Sequence, residues 1–152
     1  MKRYTDADLA EILRRQGKPV DFSYRANPKR PQGPSESSEQ QAVIRWWSVA
    51  CKQYGLKEQI LLAVPLQAAR SPRNGARMKA EGARKGTPDL FLACQASNCG
   101  GLWIEMKTAT GRVSPEQVVM ISLLQERGYG VAVCRSSAEA IKSITNYLEN
   151  RP

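Results

Sequence analysis

GTPDLFLACQASNCGGLWIEMK, Gly86 to Lys107, is the stretch on which the reading of this chain turns. Two apolar runs, Pro88 to Ala93 and Gly101 to Lys107, flank QASNCGG, which carries the asparagine and glycine of a hairpin loop. In the second run Trp103, Glu105 and Lys107 alternate with Leu102, Ile104 and Met106. The two-residue period of a strand therefore sets Glu105 and Lys107 on one face. If the runs pair antiparallel, the start of the first lies beside the end of the second, and Asp89 arrives next to Glu105 and Lys107. Two carboxylates and an ammonium at one point suit a divalent cation beside a phosphate.

Outward from this hairpin the pattern alternates between helix and strand. Upstream, Ser37 to Tyr54 places Val43, Ile44, Trp47, Ala50, Cys51 and Tyr54 at three- and four-residue steps, an amphipathic helix capped by Ser37 or Ser38. Glu39 falls on or near its buried face, where an unpaired carboxylate is costly. It is either a functional carboxylate or a first-turn acid complementing the helix dipole, and Glu36 competes with it for the functional role. Gln59 to Leu66 reads as a short strand. Downstream, Ser114 and Pro115 open a helix that runs to Arg127 and closes at Gly128. Tyr129 to Arg135 is a strand, and a last helix starts at Ser136 or Ser137. Strand, helix, strand implies a right-handed parallel crossover. The expected fold is α/β, in the order α-β-β-β-α-β-α, with a mixed central sheet of about four strands flanked by helices. Residues 1–34 read as a short helix, Thr5 to Arg15, and a basic proline-rich linker, and residues 35–152 as the folded domain.

Composition narrows the chemistry. The chain of 152 residues carries a formal charge of +9, which points to a polyanionic partner. It has no histidine, so Ser-His-Asp and Cys-His nucleophile systems are excluded, and catalysis must run on carboxylates, lysine, tyrosine or metal. Cys51, Cys94, Cys99 and Cys134 sit in or beside apolar runs with no CxxC pair, which argues for reduced packing residues over a zinc site. No apolar run spans a bilayer and no signal-peptide core follows the N-terminus, so the expected compartment is the cytosol. Arg70, Arg73, Arg77, Lys79, Arg84 and Lys85 crowd a segment read as a long loop between strands, and are candidate phosphate contacts together with Lys52, Lys57 and Arg112.

Pro88-Asp89 followed by Glu105-Met106-Lys107 resembles the PD-(D/E)xK nuclease superfamily. Glu39-Gln40-Gln41, Arg73-Asn74-Gly75, KAEG at Lys79 to Gly82, KGTPDLFL, GLWIEMKTATGRVSPEQ and GYGVAVC together resemble its VRR-NUC branch, in the stand-alone form carried by phages and prophages. The resemblance covers about Ser35 to Leu148. It implies a restriction-endonuclease-like core and a Mg²⁺- or Mn²⁺-dependent endonuclease acting on branched DNA. Resolution of Holliday junctions by a homodimer is the foremost form, and flap or nick cleavage and non-catalytic DNA binding are the alternatives. In that reading Asp89, Glu105, the backbone carbonyl of Met106 and Glu39 hold metal. Lys107 orients the attacking water or stabilises charge, and Gln117 contacts the water or the phosphate.

Overall fold

The computed structural model describes residues 34–65, 72–96 and 98–150, with the side chains of 72–74 left out. The expected helix at Thr5 to Arg15, its linker, and Arg70 lie outside these residues. Elements run α1 (Glu36–Ala50), β1 (Leu61–Ala63), α2 (Pro72–Ala80), β2 (Leu90–Leu92), β3 (Leu102–Met106), α3 (Pro115–Glu126), β4 (Gly130–Cys134) and α4 (Ser137–Glu149). One four-stranded sheet has the order β1-β2-β3-β4, antiparallel except for the parallel pair β3 and β4. The expected mixed sheet with flanking helices is therefore the fold. No helix among the described residues is long and apolar enough to cross a membrane.

The strand period sorts the two faces of the sheet. Leu90, Leu92, Leu102, Ile104 and Met106 point to one side and are buried with Val43 and Trp47 of α1 and Ala140, Ile144 and Leu148 of α4 in one core. Leu90 stands opposite Ile104 and Leu92 opposite Leu102, so the β2–β3 hairpin has the register that brings Asp89 level with the end of β3. The other face carries Trp103 and Glu105, and α3 crosses back on β4 to bury Val118 and Ile121.

Several boundaries differ from the sequence reading, each for a local reason. The N-cap of α1 is Ser35, whose hydroxyl accepts the Ser38 amide at 3.1 Å. Three serines compete for that cap in SESS, and the choice of Ser35 makes Glu36 the first helical residue. The second element is mostly a 3-10 turn, Glu58–Ile60, with three strand residues after it. The segment read as a long basic loop contains α2. Proline stands at its first position, and after Asn74 and Gly75 the strong helix formers Ala76, Arg77, Met78, Lys79 and Ala80 complete it. Its end is a Schellman closure: Ala83 N donates to Met78 O at 2.8 Å and Gly82 N to Lys79 O at 3.2 Å, with Gly82 at φ +102°.

Tyr147 of α4 fastens the far end of the hairpin. Its hydroxyl lies 2.8 Å from the Cys94 carbonyl and 3.0 Å from that of Cys99, and accepts the Ala96 amide at 3.1 Å. Replacing it removes the hydroxyl donor to the Cys94 carbonyl and one of two acceptors of the Ala96 amide, which also donates to the Cys99 carbonyl at 3.2 Å. Tyr147→Phe is expected to cost about 1–3 kcal/mol in chemical denaturation, with the unfolding slope unchanged; a loss below about 0.5 kcal/mol would mean that water replaces the hydroxyl.

Candidate active site

The C-terminal end of β3 is where backbone geometry and charge meet. Asp89, one residue before β2, accepts the Met106 amide on Oδ2 at 2.8 Å. Its own carbonyl accepts the Val64 amide at 2.8 Å, continuing the ladder towards β1. Asp89 is thus tied to strands on both sides. Glu105 projects from the face opposite the core and is only 1% exposed, and Lys107 beside it is 8% exposed.

Glu105 receives two donors on one oxygen. Lys107 Nζ lies 2.6 Å from Oε1, and the Gln117 side-chain amide donates to the same atom. Oε2 is buried and has no hydrogen-bond partner among the described residues. Burial, which disfavours the charged form, pushes the carboxyl up to about 7. The Lys107 hydrogen bond opposes the shift, and the nearby charges of Asp89 and Glu36 add to it.

Gln117 reaches Glu105 because α3 begins at a fixed place. Ser114 Oγ accepts the Gln117 amide at 3.3 Å, and Gln117 Oε1 accepts the Ser114 amide at 2.8 Å, a reciprocal capping box. The oxygen of this glutamine serves the cap and its nitrogen serves Glu105. Gly86 presses the preceding turn against the same helix end. At φ +83°, a Cβ there would stand 2.3 Å from the Glu116 carbonyl oxygen, so only glycine fits.

The two glutamates of the first helix divide. Glu36 Oε1 accepts the Thr108 amide at 3.2 Å and lies 3.8 Å from Lys107 Nζ. Glu39 Oε2 accepts the Ser137 amide at 2.5 Å, at the first residue of α4. The hydroxyl and amide of Ser137 hold the Glu39 carboxyl below its usual range. Glu36, Lys85, Gly86, Thr87, Asp89, Glu105, Lys107, Ser114, Glu116 and Gln117 line a cavity of about 520 Å³. Four of the five residues expected to carry the chemistry are therefore brought together. Glu39 joins two helix N-termini outside the cavity, and Glu36 takes the place beside Lys107. The sequence offered a signal for it, an acid directly after a serine able to cap, but the cap was expected at Ser37 or Ser38 and falls at Ser35.

Of the candidate phosphate contacts, Lys85 lines the cavity. Arg77 and Lys79 are exposed on α2, Arg77 paired with Glu81 at 3.1 Å. Arg84 turns back to the Ala83 and Lys79 carbonyls at the end of that helix. Arg73 lies in α2 with its side chain outside the described residues.

The donor set is all oxygen apart from Lys107 and Gln117, the chemistry that Mg²⁺ and Mn²⁺ prefer. Among the described residues no three carboxylates or thiols form a complete ligand cluster. An ion here would therefore draw on backbone carbonyl and water beside the carboxylates, as Mg²⁺ commonly does. The unpartnered Oε2 of Glu105 is the atom that fits such an ion.

The model of the VRR-NUC domain family matches residues 29–138. A solved structure described as a VRR_NUC domain protein is similar with a TM-score of 0.68 at 23% identity, covering 80% of this chain and 93% of that one. At that identity the likeness is one of fold. Among curated proteins none matches.

The raised Glu105 carboxyl has a stability consequence in metal-free protein. Below about pH 4.5 it is protonated in both the folded and the unfolded chain. Between 4.5 and about 7 the unfolded chain gives up the proton and the folded chain retains it, so stability falls as pH rises through that window and levels off above it. In chelator, Glu105→Gln should therefore gain on the wild type in melting temperature from pH 5 to pH 8. Parallel curves for the two proteins would show that Glu105 does not titrate in this range.

Proposed function

The chain belongs to the VRR-NUC domain family, membership that implies a nuclease-type role in DNA processing, and we propose that it is a Mg²⁺- or Mn²⁺-dependent endodeoxyribonuclease that hydrolyses phosphodiester bonds in branched DNA, four-way junctions foremost. The observation that carries the reading is Glu105, buried with one oxygen doubly satisfied and the other unpartnered, in one cavity with Asp89 and Lys107.

In this reading Asp89, Glu105 and the Met106 carbonyl hold the ion, and Glu36 supplies the helix carboxylate at the same cavity. A bound divalent ion would supply an acidified water and neutralise charge on the scissile phosphoryl group. The chain's own groups do the rest. Lys107 Nζ, held by Glu105 at 2.6 Å and facing Glu36 at 3.8 Å, donates to the attacking water or to a phosphoryl oxygen as charge develops there. Gln117 keeps Glu105 turned so that Oε2 is left for the metal. Glu39 acts at a distance, fixing α1 to α4 and so the height of Glu36. Lys85 at the cavity, with Arg77 and Lys79 on the neighbouring helix, would hold the DNA backbone without reading sequence. A four-way junction presents two equivalent strands, and a homodimer with two-fold symmetry offers two such sites; the family resemblance supports that pairing.

The test is cleavage of labelled four-way junction, flap, nicked and linear duplex by the purified protein, in Mg²⁺, in Mn²⁺ and in chelator. Metal-dependent cutting is expected, fastest on the junction, and lowered on the order of a hundredfold or more by Asp89→Ala, Glu105→Ala or Lys107→Ala. Glu36→Ala should slow cleavage and lower the melting temperature less than Glu39→Ala does, which should act mainly on the melting temperature. Activity that survives in the Asp89 and Lys107 variants would belong to a contaminant. Binding without cutting would make the protein a DNA-binding module, and a faster flap reaction would keep the site and correct the substrate.

A further inference from the structure

The turn after Lys107 hangs on a side chain that lies outside the cavity. Arg135, the residue that follows β4, directs Nη1 to three backbone carbonyls, those of Thr108 at 3.3 Å, Ala109 at 3.4 Å and Gly111 at 2.6 Å. Each is a charge-assisted contact, and the planar guanidinium presents its donors in a fixed direction. Arg135 is itself anchored. Its amide donates to Glu139 Oε2 at 2.7 Å, and the preceding Cys134 carbonyl accepts the Lys107 amide at 2.8 Å.

The gathered turn touches both charges that face each other across the site. Thr108 N donates to Glu36 Oε1 at 3.2 Å. Gly111 packs so closely on the lysine stem that a Cβ at this position would lie 3.3 Å from Lys107 Cδ and 2.9 Å from Thr108 Oγ1. The Arg135 guanidinium thus bears, through backbone alone, on where Lys107 and Glu36 stand. We propose that Arg135 is a positioning residue of the cleavage site: by gathering the 108–111 carbonyls it holds Lys107 and Glu36 in register for catalysis, without itself touching DNA. This rests on the nuclease reading given above. All three carbonyls meet one nitrogen, Nη1, so an ammonium that reaches the same point can keep part of the contact, while a methyl group keeps none.

The experiment compares full-length wild type, Arg135→Lys and Arg135→Ala in cleavage kinetics, DNA affinity across salt concentrations, melting temperature and amide hydrogen exchange at Thr108. Arg135→Ala should lower kcat on the order of tenfold or more, since small misplacements of catalytic groups have effects of that size. The dissociation constant and its salt dependence should stay at wild-type values, and Thr108 exchange should rise. Arg135→Lys should recover part of kcat and folds wherever loss of the whole side chain does not. Weaker binding with the salt slope reduced by about one would overturn the proposal and make Arg135 a phosphate contact. A lower melting temperature with unchanged kcat would overturn it in favour of a purely structural role. If the wild type cuts no DNA, the nuclease reading fails, and the exchange measurement still decides the tether: raised exchange in Arg135→Ala upholds it and unchanged exchange refutes it.

Discussion

A buried carboxylate with one oxygen doubly bonded and the other bare is the constraint around which this molecule is arranged. An acceptor left without a partner in a protein interior costs about 1–3 kcal/mol, and more when it is charged. Glu105 sustains that cost because several elements converge on it. The β2–β3 register places Asp89 against the Met106 amide. The Ser114 capping box fixes Gln117. Gly86 allows the preceding turn to lie on the first turn of α3, and α1 brings Glu36 within reach of Lys107. Lys107 and Gln117 are the donors that Glu105 has, and Asp89 and Glu36 crowd it with like charge.

The division between Glu36 and Glu39 follows from helix geometry. Residues three apart on a helix lie on neighbouring but distinct lines, so two acids in one first turn serve different neighbours. Glu36 points to the end of β3 and Glu39 to the start of α4. Both positions also suit the dipole of α1, so each acid has a local reason to be there as well as a tertiary one.

The hairpin and its consequences were legible in the sequence because they follow from a period of two: Glu105 and Lys107 on one face, with Asp89 across from them. The cap at Ser114 and the closure at Gly128 were legible from residue type, and the cap of α4 was narrowed to Ser136 or Ser137, of which Ser136 serves. What escaped was decided by choices that the sequence leaves degenerate. Three serines could cap α1, and the one that does sets which glutamate faces the site. The basic stretch before Gly86 has the charge of a solvated loop and the turn-like Asn74-Gly75 ahead of a run of helix formers, and its Schellman closure at Gly82 settles it as α2. Arg135 carried no signal at all. Its role comes from three carbonyls gathered by tertiary structure, and backbone acceptors have no residue type to read.

In the proposed metal-dependent nuclease the bare oxygen of Glu105 would be a ligand, and its proton would have to leave when the ion binds. Calorimetric titration of Mn²⁺ into the protein, in buffers of different ionisation enthalpy, measures that proton directly. With the carboxyl pushed up to about 7, release of close to one proton per bound ion is expected near pH 6, declining towards none above pH 8, with both binding and release lost in Glu105→Gln. Release that does not change with pH, or Mn²⁺ binding undiminished in Glu105→Gln, would contradict the account.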